Sequence, residues 1–278
     1  MIVSDEYVVF GHPIAHSQSP IIHGLFAKET RQDIRYTAKD VPAEIFEQSI
    51  NSFFNSGGKG VNCTVPLKEL AWERADERTQ RAEISGAVNT LVLLNDGRIL
   101  GDNTDGVGLV RDLTENLNIS LMGKNILLLG AGGASRGILL PLLEQKPSKI
   151  VIANRTIEKA IALASQFTDF GPVSGCGYDA LGETRFDLIL NATAASLQND
   201  LPPLPDGCLK SVGYCYDLAY GSQPTPFVRW GNEHHAKIST DGIGMLVEQA
   251  AEAFLLWRGI MPSTVPVIDQ LNKQRGKG

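Results

Sequence analysis

The sequence predicts a two-domain α/β protein, and three observations support this prediction. The chain of 278 residues is long enough for two domains of ordinary size. Asn125–Leu129 is an aliphatic run typical of a strand buried on both faces, and the glycine-rich segment 130–137 follows it directly. Apolar residues at helical spacing from Ile138 to Leu143 then lead to a second aliphatic run, Lys149–Ala153, which completes a β-turn-α-β unit.

The glycine-rich segment predicts a phosphate site at the amino terminus of a helix. Gly130 and Gly132 let the backbone turn tightly and approach a ligand, while unpaired N–H groups and the helix dipole attract an anion. The pattern departs from G-x-G-x-x-G because Ser135 stands where the third glycine or alanine is expected. The pyrophosphate of a dinucleotide fits this arrangement, and an ordinary βα turn that uses glycine for close packing is the alternative.

The end of the second aliphatic run favours NADP over NAD. NAD sites usually carry an acidic residue here for the ribose 2′-hydroxyl, whereas this chain has Asn154-Arg155-Thr156, with Lys159 one turn further on. An arginine at this place suits a 2′-phosphate. We therefore expect NADP as the cofactor.

Composition and charge exclude several other classes of protein. The net charge of −6 argues against nucleic acid as a partner, and 43% hydrophobic with 20% charged residues is typical of a globular protein. The sequence has no recognisable signal peptide and no uncharged apolar run of membrane-spanning length. Its four cysteines show no C-x-x-C spacing and no zinc-like arrangement with histidine. We expect reduced thiols, no metal, no membrane contact and a cytoplasmic location.

The N-terminal region alternates strands with helices. Tyr7–Phe10 predicts a first strand, and a polar loop then leads to Ser19-Pro20, a strong helix start. Ser19 is expected either to cap this helix or, with Ser17, to hold a small carboxylate at the helix N-terminus. His16 is expected to be a loop or packing residue. The buried face of the helix is predicted at Ile21, Ile22, Leu25 and Phe26.

Polar residues then collect where strands are predicted to end. A strand near 34–39 and a helix from Ala43 to about Gly57 precede a strand that starts at Gly60 and runs into a proline turn. Asn95–Arg98 predicts a hairpin turn between two further strands. The inward side of the helix is predicted at Ile45, Phe46, Ile50, Phe53 and Phe54, and the polar residues at the strand ends are Asn62, Thr64, Lys68, Asn89 and Asp105. Strand ends of this kind line the crevice where open α/β sheets bind ligands. Two alternatives remain open. Asp102 or Asp105 could merely cap the next helix, and a lysine at the edge of a sheet is often a solvated surface charge.

Together these blocks resemble the shikimate dehydrogenase family over nearly the whole chain, in the order that the family shows. Single blocks are weak signals, but their joint occurrence in register is specific. The blocks are Gly11-x-Pro13-Ile14-x-His16-Ser17-x-Ser19-Pro20, Asn62-x-Thr64-x-Pro66-x-Lys68, Ala87-Val88-Asn89-Thr90, Gly101-x-Asn103-Thr104-Asp105-Gly106, Gly130-Ala131-Gly132-Gly133-Ala134, Asn154-Arg155-Thr156, Asn191-Ala192-Thr193, Tyr216-Asp217-x-x-Tyr220 with Thr225-Pro226-Phe227, and Asp241-Gly242-x-Gly244-Met245-Leu246-Val247-x-Gln249-Ala250. Cys63, where the family often has valine, and 194–197, where a glycine-methionine ending is usual, depart from the pattern without touching a catalytic position.

The resemblance implies an NADP-dependent reduction of 3-dehydroshikimate to shikimate in aromatic amino acid and chorismate biosynthesis. Its implied fold is an N-terminal α/β substrate domain, residues 1–105 completed by 240–278, and a Rossmann-like NADP-binding domain, residues 106–239. The implied catalytic pair is Lys68 and Asp105, either of which could move the proton. The implied substrate ligands are Ser17, Ser19, Thr64, Asn89, Tyr220 and Gln249, and the implied cofactor ligands are Gly130, Ala131, Gly132, Gly133, Ala134, Asn154, Arg155, Thr156, Lys159, Leu218 and Gly242.

Three related hypotheses differ in cofactor or in class. A quinate/shikimate dehydrogenase that uses NAD would tolerate an acid after the second cofactor strand, so Arg155 argues against it. A non-catalytic sensor of shikimate or quinate would not need both Lys68 and Asp105. The tRNA-glutamate reductase family shares a similar cofactor domain, but this sequence lacks a nucleophilic cysteine combined with a tRNA-sized basic surface. The expected assembly is a monomer or a homodimer.

Overall fold

The computed structural model describes residues 4–276 of the chain, apart from the side chain of Leu197. These residues divide into two compact units. The first unit contains the residues up to Gly108 together with Val247–Ile268, and the second contains Leu109–Leu246 and the residues from Asp269 onward. The domain limits expected from the sequence, at 105/106 and 239/240, stay a prediction. The structure divides after Gly108 and Leu246 and groups the residues from Asp269 onward with the second unit.

The first unit begins as strands that alternate with helices and continues in shorter elements. Its early elements are β1 (Asp5–Gly11), α1 (Ser19–Thr30), β2 (Ile34–Asp40), α2 (Phe46–Asn55) and β3 (Gly60–Cys63). The shorter elements are α3 (Lys68–Arg74), β4 (Glu77–Arg78), α4 (Gln80–Ser85), β5 (Thr90–Leu93), β6 (Ile99–Asp102) and α5 (Asp105–Arg111), the last of which continues into the second unit.

Among the described residues, the strands of the first unit form a six-stranded sheet in the order β2-β1-β3-β5-β6-β4. β1 pairs in parallel with β2 and β3, whereas β5 is antiparallel to both β3 and β6. The predicted hairpin at Asn95–Arg98 therefore lies between β5 and β6, and Gly97 adopts the positive φ of 86° that such a turn requires. This arrangement brings the carboxyl ends of β3 and β6 beside the start of β5.

Three details of the first unit differ from the sequence-based expectations. Ile21 and Ile45 are exposed, at 44% and 43%, and the buried positions of α1 include His23 and Ala27 instead. The ring of His23 stacks on Tyr36 and packs at a tilt against Trp257, which keeps it from water. Helices α3 and α4 were not predicted, since each is too short to show a helical period clearly. Ala43–Ile45 is a 3₁₀ turn that precedes α2.

The second unit continues the alternation of strand and helix. Its elements are β7 (Asn125–Leu129), α6 (Gly133–Glu144), β8 (Lys149–Ala153), α7 (Ile157–Ser165), β9 (Val173–Cys176), β10 (Phe186–Asn191), β11 (Leu209–Asp217), α8 (Pro226–Glu233) and β12 (Ile238–Asp241). Two further helices, α9 (Ile243–Arg258) and α10 (Val265–Gln274), each run across a division between the units.

In residues 4–276, the six strands of the second unit pair in parallel in the order β12-β11-β10-β7-β8-β9. Counted from β7 as the first strand, this is the doubly wound order 3-2-1-4-5-6 of dinucleotide-binding sheets. The order reverses between β7 and β10, so the crevice at their carboxyl ends is the switch point where such sheets bind ligands. Ile126–Leu129 are fully buried, as expected for a central parallel strand covered on both faces. Within residues 4–276, no helix combines the length and apolarity that a bilayer crossing requires.

Candidate active site

Lys68 and Asp105 lie together in the first unit as an ion pair. Lys68 is the first residue of α3, which follows the turn where the N–H of Leu67 donates to the carbonyl of Thr64 at 2.8 Å. Asp105 is the first residue of α5. The ammonium of Lys68 donates to Oδ2 of Asp105, and the two side chains are 23% and 11% exposed. The sequence placed Lys68 just beyond a strand end, whereas in the structure it begins a helix.

The second oxygen of Asp105 is held by Asn89. Nδ2 of Asn89 donates to Oδ1 of Asp105 at 2.8 Å, and the N–H of Asp105 donates to Oδ1 of Asn103 at 3.2 Å. Lys68 thus contacts one carboxylate oxygen of Asp105, and Asn89 contacts the other. Asp105 therefore presents an acceptor of fixed orientation to the ammonium group.

Gln249 on α9 joins the same cluster. Its Oε1 accepts from Nδ2 of Asn89 at 3.2 Å and from the hydroxyl of Thr104 at 3.4 Å. Gly108 makes this approach possible, because a Cβ there would lie 2.6 Å from the backbone nitrogen of Gln249. The sequence indicated no individual role for Thr104 or Gly108, although both belong to the polar, glycine-containing segment that follows β6.

One of the two roles expected for Ser19, that of capping α1, is not found in the structure. Gln18 occupies the N-cap position of α1 without a side-chain cap, so Ser19 does not cap the helix. Instead, the hydroxyl of Ser17 accepts from the N–H of Ser19 at 3.3 Å. Ser17 is half-buried and Ser19 is buried, which places both hydroxyls at the beginning of the helix. His16 is exposed in the same loop, as expected for a loop residue.

Thr64 lies at the end of β3, close to the end of β1. A Cβ on Gly11 would be 2.4 Å from Cγ2 of Thr64, so glycine at position 11 allows the two strand ends to meet. The N–H of Thr64 donates to the carbonyl of Phe10 at 2.9 Å. The backbone thus fixes Thr64 four residues before Lys68, with its side chain partly exposed.

Arg81, Asp102 and Glu252 form a charge network that the sequence did not reveal, next in sequence to the residues of this polar cluster. Asp102, 1% exposed, accepts from Nε and Nη2 of Arg81 at 2.7 and 2.5 Å, and Nη2 of Arg81 also donates to Glu252 at 3.1 Å. Burial alone would lower the pKa of Arg81, but the bonds and charges of the two carboxylates raise it above its usual value. Arg81 therefore connects the end of β6 to α9, one turn beyond Gln249.

The glycine turn of the second unit fits a pyrophosphate. Gly130 has a φ of 99°, which favours glycine, and side chains added at Gly132 and Gly133 would meet open space. Gly132 is the N-cap of α6, and Ala131 and Ala134 lie beside it in the half-buried to exposed turn. Backbone N–H groups at the start of a twelve-residue helix are therefore open to an anion.

Ser135 explains the departure from the usual glycine pattern. It is fully buried, and its hydroxyl donates to the carbonyl of Gly130 at 2.8 Å. The third glycine of the usual pattern serves close packing between helix and strand. A small side chain that bonds back to the turn meets the same requirement, so the departure leaves the site intact.

The residues expected around the ribose follow β8 directly. Arg155, Thr156 and Lys159 are exposed and Asn154 is half-buried. Nδ2 of Asn154 donates to the carbonyl of Thr156 at 2.8 Å, which shapes the turn that carries the Arg155 guanidinium. Arg155, just before α7, and Lys159, in its first turn, are exposed cations that suit a phosphate with two negative charges.

Leu218, Tyr220 and Gly242 lie near the ends of β11 and β12 in the second unit. A Cβ on Gly242 would be 2.3 Å from the carbonyl oxygen of Leu218, so the two segments touch only because position 242 is glycine. Tyr220 is half-buried; burial raises the pKa of its phenol, which the charge of Arg275 partly opposes. Its hydroxyl is therefore a hydrogen-bond donor at neutral pH.

Asp217 is a further residue whose role the sequence did not reveal. It is fully buried at the end of β11 and accepts hydrogen bonds from Asn191, Ser196, Ala219 and Thr225. Burial raises the pKa of Asp217, while those four hydrogen bonds act in the opposite sense. Asp217 thus links the segment that follows β10, whose residues 194–197 depart from the usual pattern, to the end of β11.

The cysteines and the other side chains that can bind metals were compared within the described residues. Among the described residues, no group of three or more His, Cys, Asp or Glu side chains is arranged to hold a metal ion. All four cysteines are free thiols. Burial raises the pKa of the Cys63 thiol despite the nearby charge of Lys68, so Cys63 is a neutral side chain in β3.

Comparison with known proteins adds independent findings. Family models described as the shikimate dehydrogenase substrate binding domain, shikimate / quinate 5-dehydrogenase and the shikimate 5′-dehydrogenase C-terminal domain match residues 9–91, 112–198 and 242–271. A curated relative from Methylococcus capsulatus, named shikimate dehydrogenase (NADP(+)), is 62% identical over 99% of both chains.

Two solved structures extend the likeness to the fold. An Ael1 enzyme from Pseudomonas putida is 48% identical with a TM-score of 0.89, and the match covers 96% of this chain and 98% of that one. A shikimate 5-dehydrogenase from Thermus thermophilus, solved with NADP(H) and shikimate, is 33% identical with a TM-score of 0.86, covering 98% and 99%. The three family models together span most of the sequence, in the order of the two units. This chain therefore belongs to the shikimate dehydrogenase family.

Proposed function

We propose that this chain catalyses the reversible, NADP-dependent reduction of 3-dehydroshikimate to shikimate, a step in the biosynthesis of chorismate and the aromatic amino acids. The observation that carries the proposal is the Lys68–Asp105 ion pair at the strand ends of the first unit, in a chain of this family. A sensor that only binds its ligand would have no use for a partly buried lysine and carboxylate in hydrogen-bonded contact.

The chemistry of ketone reduction requires such a pair. When bound, NADPH supplies a hydride to the carbonyl carbon of the substrate. The carbonyl oxygen then gains negative charge, which the ammonium of Lys68 stabilises, and the Lys68–Asp105 pair delivers a proton to the oxygen. Asp105 holds the ammonium in place, because its carboxylate is fixed by Asn89 on the other side. In the direction of oxidation, the same pair accepts the proton of the hydroxyl group.

The substrate ring carries a carboxylate and hydroxyl groups, and the first unit offers donors and acceptors for both. Ser17 and Ser19 hold the carboxylate at the start of α1, and the resemblance assigns Tyr220 to the same group. Thr64, Asn89, Asp105 and Gln249 bind the ring hydroxyls. Amide and carboxylate side chains suit this task because a hydroxyl both donates and accepts a hydrogen bond.

The second unit holds the cofactor in this proposal. The turn from Gly130 to Ala134 binds the pyrophosphate at the start of α6. The 2′-phosphate lies on Asn154, Arg155, Thr156 and Lys159, and Leu218 and Gly242 flank the nicotinamide. The open space beside Gly132 and Gly133 supports this assignment, since a pyrophosphate needs close approach to the backbone. We further infer a cytoplasmic protein that acts as a monomer or a homodimer.

The direct test measures the absorbance of reduced nicotinamide with shikimate as substrate. Reactions with NADP⁺ and with NAD⁺ run side by side, and both are repeated with quinate. We expect turnover of shikimate with NADP⁺. A clear preference for NAD⁺ would contradict the role given to Arg155, and folded protein that is silent with every pair would contradict the proposed activity.

A further inference from the structure

A line of four hydrogen bonds joins Tyr36 on β2 to the carboxylate of Asp105. The hydroxyl of Tyr36 donates to Oδ1 of Asn62 at 2.7 Å, and Nδ2 of Asn62 donates to the hydroxyl of Thr90 at 3.0 Å. Thr90 donates to Oδ1 of Asn89 at 2.9 Å, and Nδ2 of Asn89 donates to Oδ1 of Asp105 at 2.8 Å. Thr90, at the start of β5, has no other role in the proposed function.

The direction of every bond in this line is fixed by partners that can act in only one way. Nδ2 of Asn62 also faces the backbone carbonyl of Asn89 at 3.0 Å, which can only accept, so Oδ1 must face Tyr36. Oδ1 of Asn89 faces the backbone N–H of Thr104 at 2.9 Å, which can only donate, so Nδ2 must face Asp105. Thr90 already accepts from Asn62, which leaves its own proton for Asn89. All four donors therefore point toward Asp105.

The middle of the line is shielded from water. Thr90 is fully buried, and Asn62 and Asn89 are 7% and 3% exposed. Hydrogen bonds in such surroundings are strengthened by the low dielectric, and bonds aligned in one sense polarise one another. A donor at the far end thus strengthens the donor that reaches the carboxylate.

Tyr36 is suited to begin this line. Burial raises the pKa of its phenol well above the usual value, although a hydrogen bond with Ser19 acts in the opposite sense, so the hydroxyl keeps its proton. Its ring stacks on that of His23, with centroids 4.1 Å apart and planes 8° from parallel. Burial lowers the pKa of His23 to about 3, so the stacked partner is neutral and holds the phenol ring by packing rather than by charge.

We propose that Thr90 is a positioning residue of this enzyme, which acts through Asn89 to orient and hold the Lys68–Asp105 pair, with Asn62 and Tyr36 as the outer part of the same line. The proposal rests on the proposed function, since it concerns the pair assigned to proton transfer. Thr90 touches neither Lys68 nor Asp105 in the hydrogen bonds described above. Its effect is on the geometry and charge of the carboxylate.

The test compares Thr90→Val, which keeps the shape and loses the hydroxyl, with Thr90→Ser, which keeps the hydroxyl. Thr30→Val is the matched control, since the hydroxyl of Thr30 donates to the carbonyl of Phe26 within α1, away from the line. In Thr90→Val we expect kcat for shikimate oxidation with NADP⁺ to fall about fivefold, the effect of losing one typical hydrogen bond. KM is expected to change less than about twofold.

A second measurement does not depend on activity. Acetic anhydride modifies exposed, neutral amines, and peptide mass spectrometry compares Lys68 with the exposed Lys59 as an internal standard. Thr90→Val is expected to raise the relative rate at Lys68 about fivefold, because its carboxylate partner is held less firmly. Tyr36→Phe, which keeps the stacked ring, is expected to raise the relative rate at Lys68 by a smaller factor. This variant replaces Thr90→Val in the test if Thr90→Val does not fold.

The outcomes separate the two proposals. An inactive wild-type protein would contradict the proposed function, and the reactivity of Lys68 would still decide the role of Thr90. A kcat and a Lys68 reactivity that are both unchanged in Thr90→Val would overturn the positioning role. Equal losses in Thr90→Val and Thr90→Ser would overturn it too, because the cause would then be packing and not the hydroxyl.

Discussion

Replacing Arg81 by methionine is expected to destabilise the first unit by about 3 kcal/mol. The side chain donates two hydrogen bonds to the buried Asp102, at 2.7 and 2.5 Å, and bonds to charged groups contribute about 1.5–3 kcal/mol each. Methionine removes both and leaves the carboxylate without its cation. The expected loss of unfolding free energy lies near the lower end of the sum of these two contributions. Asp102 keeps two other donors, the hydroxyl of Thr79 and the N–H of Asn103, and the Arg81 side chain is 24% exposed.

The assay is urea-induced unfolding of wild type, Arg81→Met, Asp102→Asn and the double variant. An amide at position 102 carries no charge that needs a partner, so the double variant is expected to lose only about 1–2 kcal/mol. Arg98→Met is the matched control. Arg98 is 54% exposed with carboxylate partners on the surface, so its removal is expected to cost less than about 1 kcal/mol.

The sign of the coupling decides whether the reasoning holds. If the losses of the two single variants simply added in the double variant, Asp102 would not depend on Arg81 and the buried pair would not be the stabilising unit. The same variants carry a functional expectation, because Arg81 also contacts Glu252 on α9, three residues from Gln249. Arg81→Met should therefore raise KM for shikimate more than it lowers kcat.

Three further predictions concern catalysis, cofactor choice and pH. Lys68→Ala is expected to lower kcat about 10²- to 10⁴-fold with a smaller change in substrate binding. Lys59 is an exposed lysine of the same unit, and Lys59→Ala is expected to keep full turnover. Activity that survives in Lys68→Ala would refute the catalytic role. Arg155→Ala is expected to raise KM for NADP⁺ about tenfold and to leave kcat/KM for NAD⁺ unchanged, and an equal loss with both cofactors would refute contact with the 2′-phosphate. Burial would raise the pKa of Asp187, but hydrogen bonds and charges, chiefly from Lys210, lower it below 3.8. The contribution of Asp187 to folding stability is therefore present above that pH and is lost as the pH falls through the folded-state pKa. Asp187→Asn should flatten the acid side of a curve of unfolding free energy against pH, and an unchanged curve would count against the Asp187–Lys210 pair.

The fold was predictable where hydrophobic pattern alone decides the element. The bounds expected for β7 and β8 agree with the structure, because a continuous aliphatic run flanked by glycine and by polar turns has few other solutions. The pattern said less about α3 and α4, where seven and six residues are too few for a period. Packing against the sheet, which involves residues distant in sequence, holds these short helices in place.

The site was predictable as a set of residue types but not as a geometry. Asn62, Asn89 and Asp105 were recognisable as polar groups at strand ends, yet the order in which they bond depends on the antiparallel pairing of β5 with β3 and β6. Thr90 looked like an ordinary strand residue, because a strand pattern does not show which side chains its hydroxyl meets. Arg81 was similarly hidden, since nothing local indicates that its carboxylate partners come from β6 and α9.

The bond lengths around Asn89 indicate which contacts belong to the scaffold and which the substrate replaces. Asn89 reaches Asp105 at 2.8 Å and receives the Thr104 N–H at 2.9 Å, whereas Gln249 accepts at 3.2 and 3.4 Å. The longer contacts are the weaker ones, so they cost least to exchange. Nδ2 of Asn89 also donates to the hydroxyl of Thr104 at 2.9 Å, so both of its protons have short contacts without Gln249. A ring hydroxyl that enters here can donate to Oε1 of Gln249, which leaves the amide of Asn89 bonded to Asp105 throughout. Substrate binding would then exchange weak contacts within the site while the carboxylate that holds Lys68 keeps its orientation.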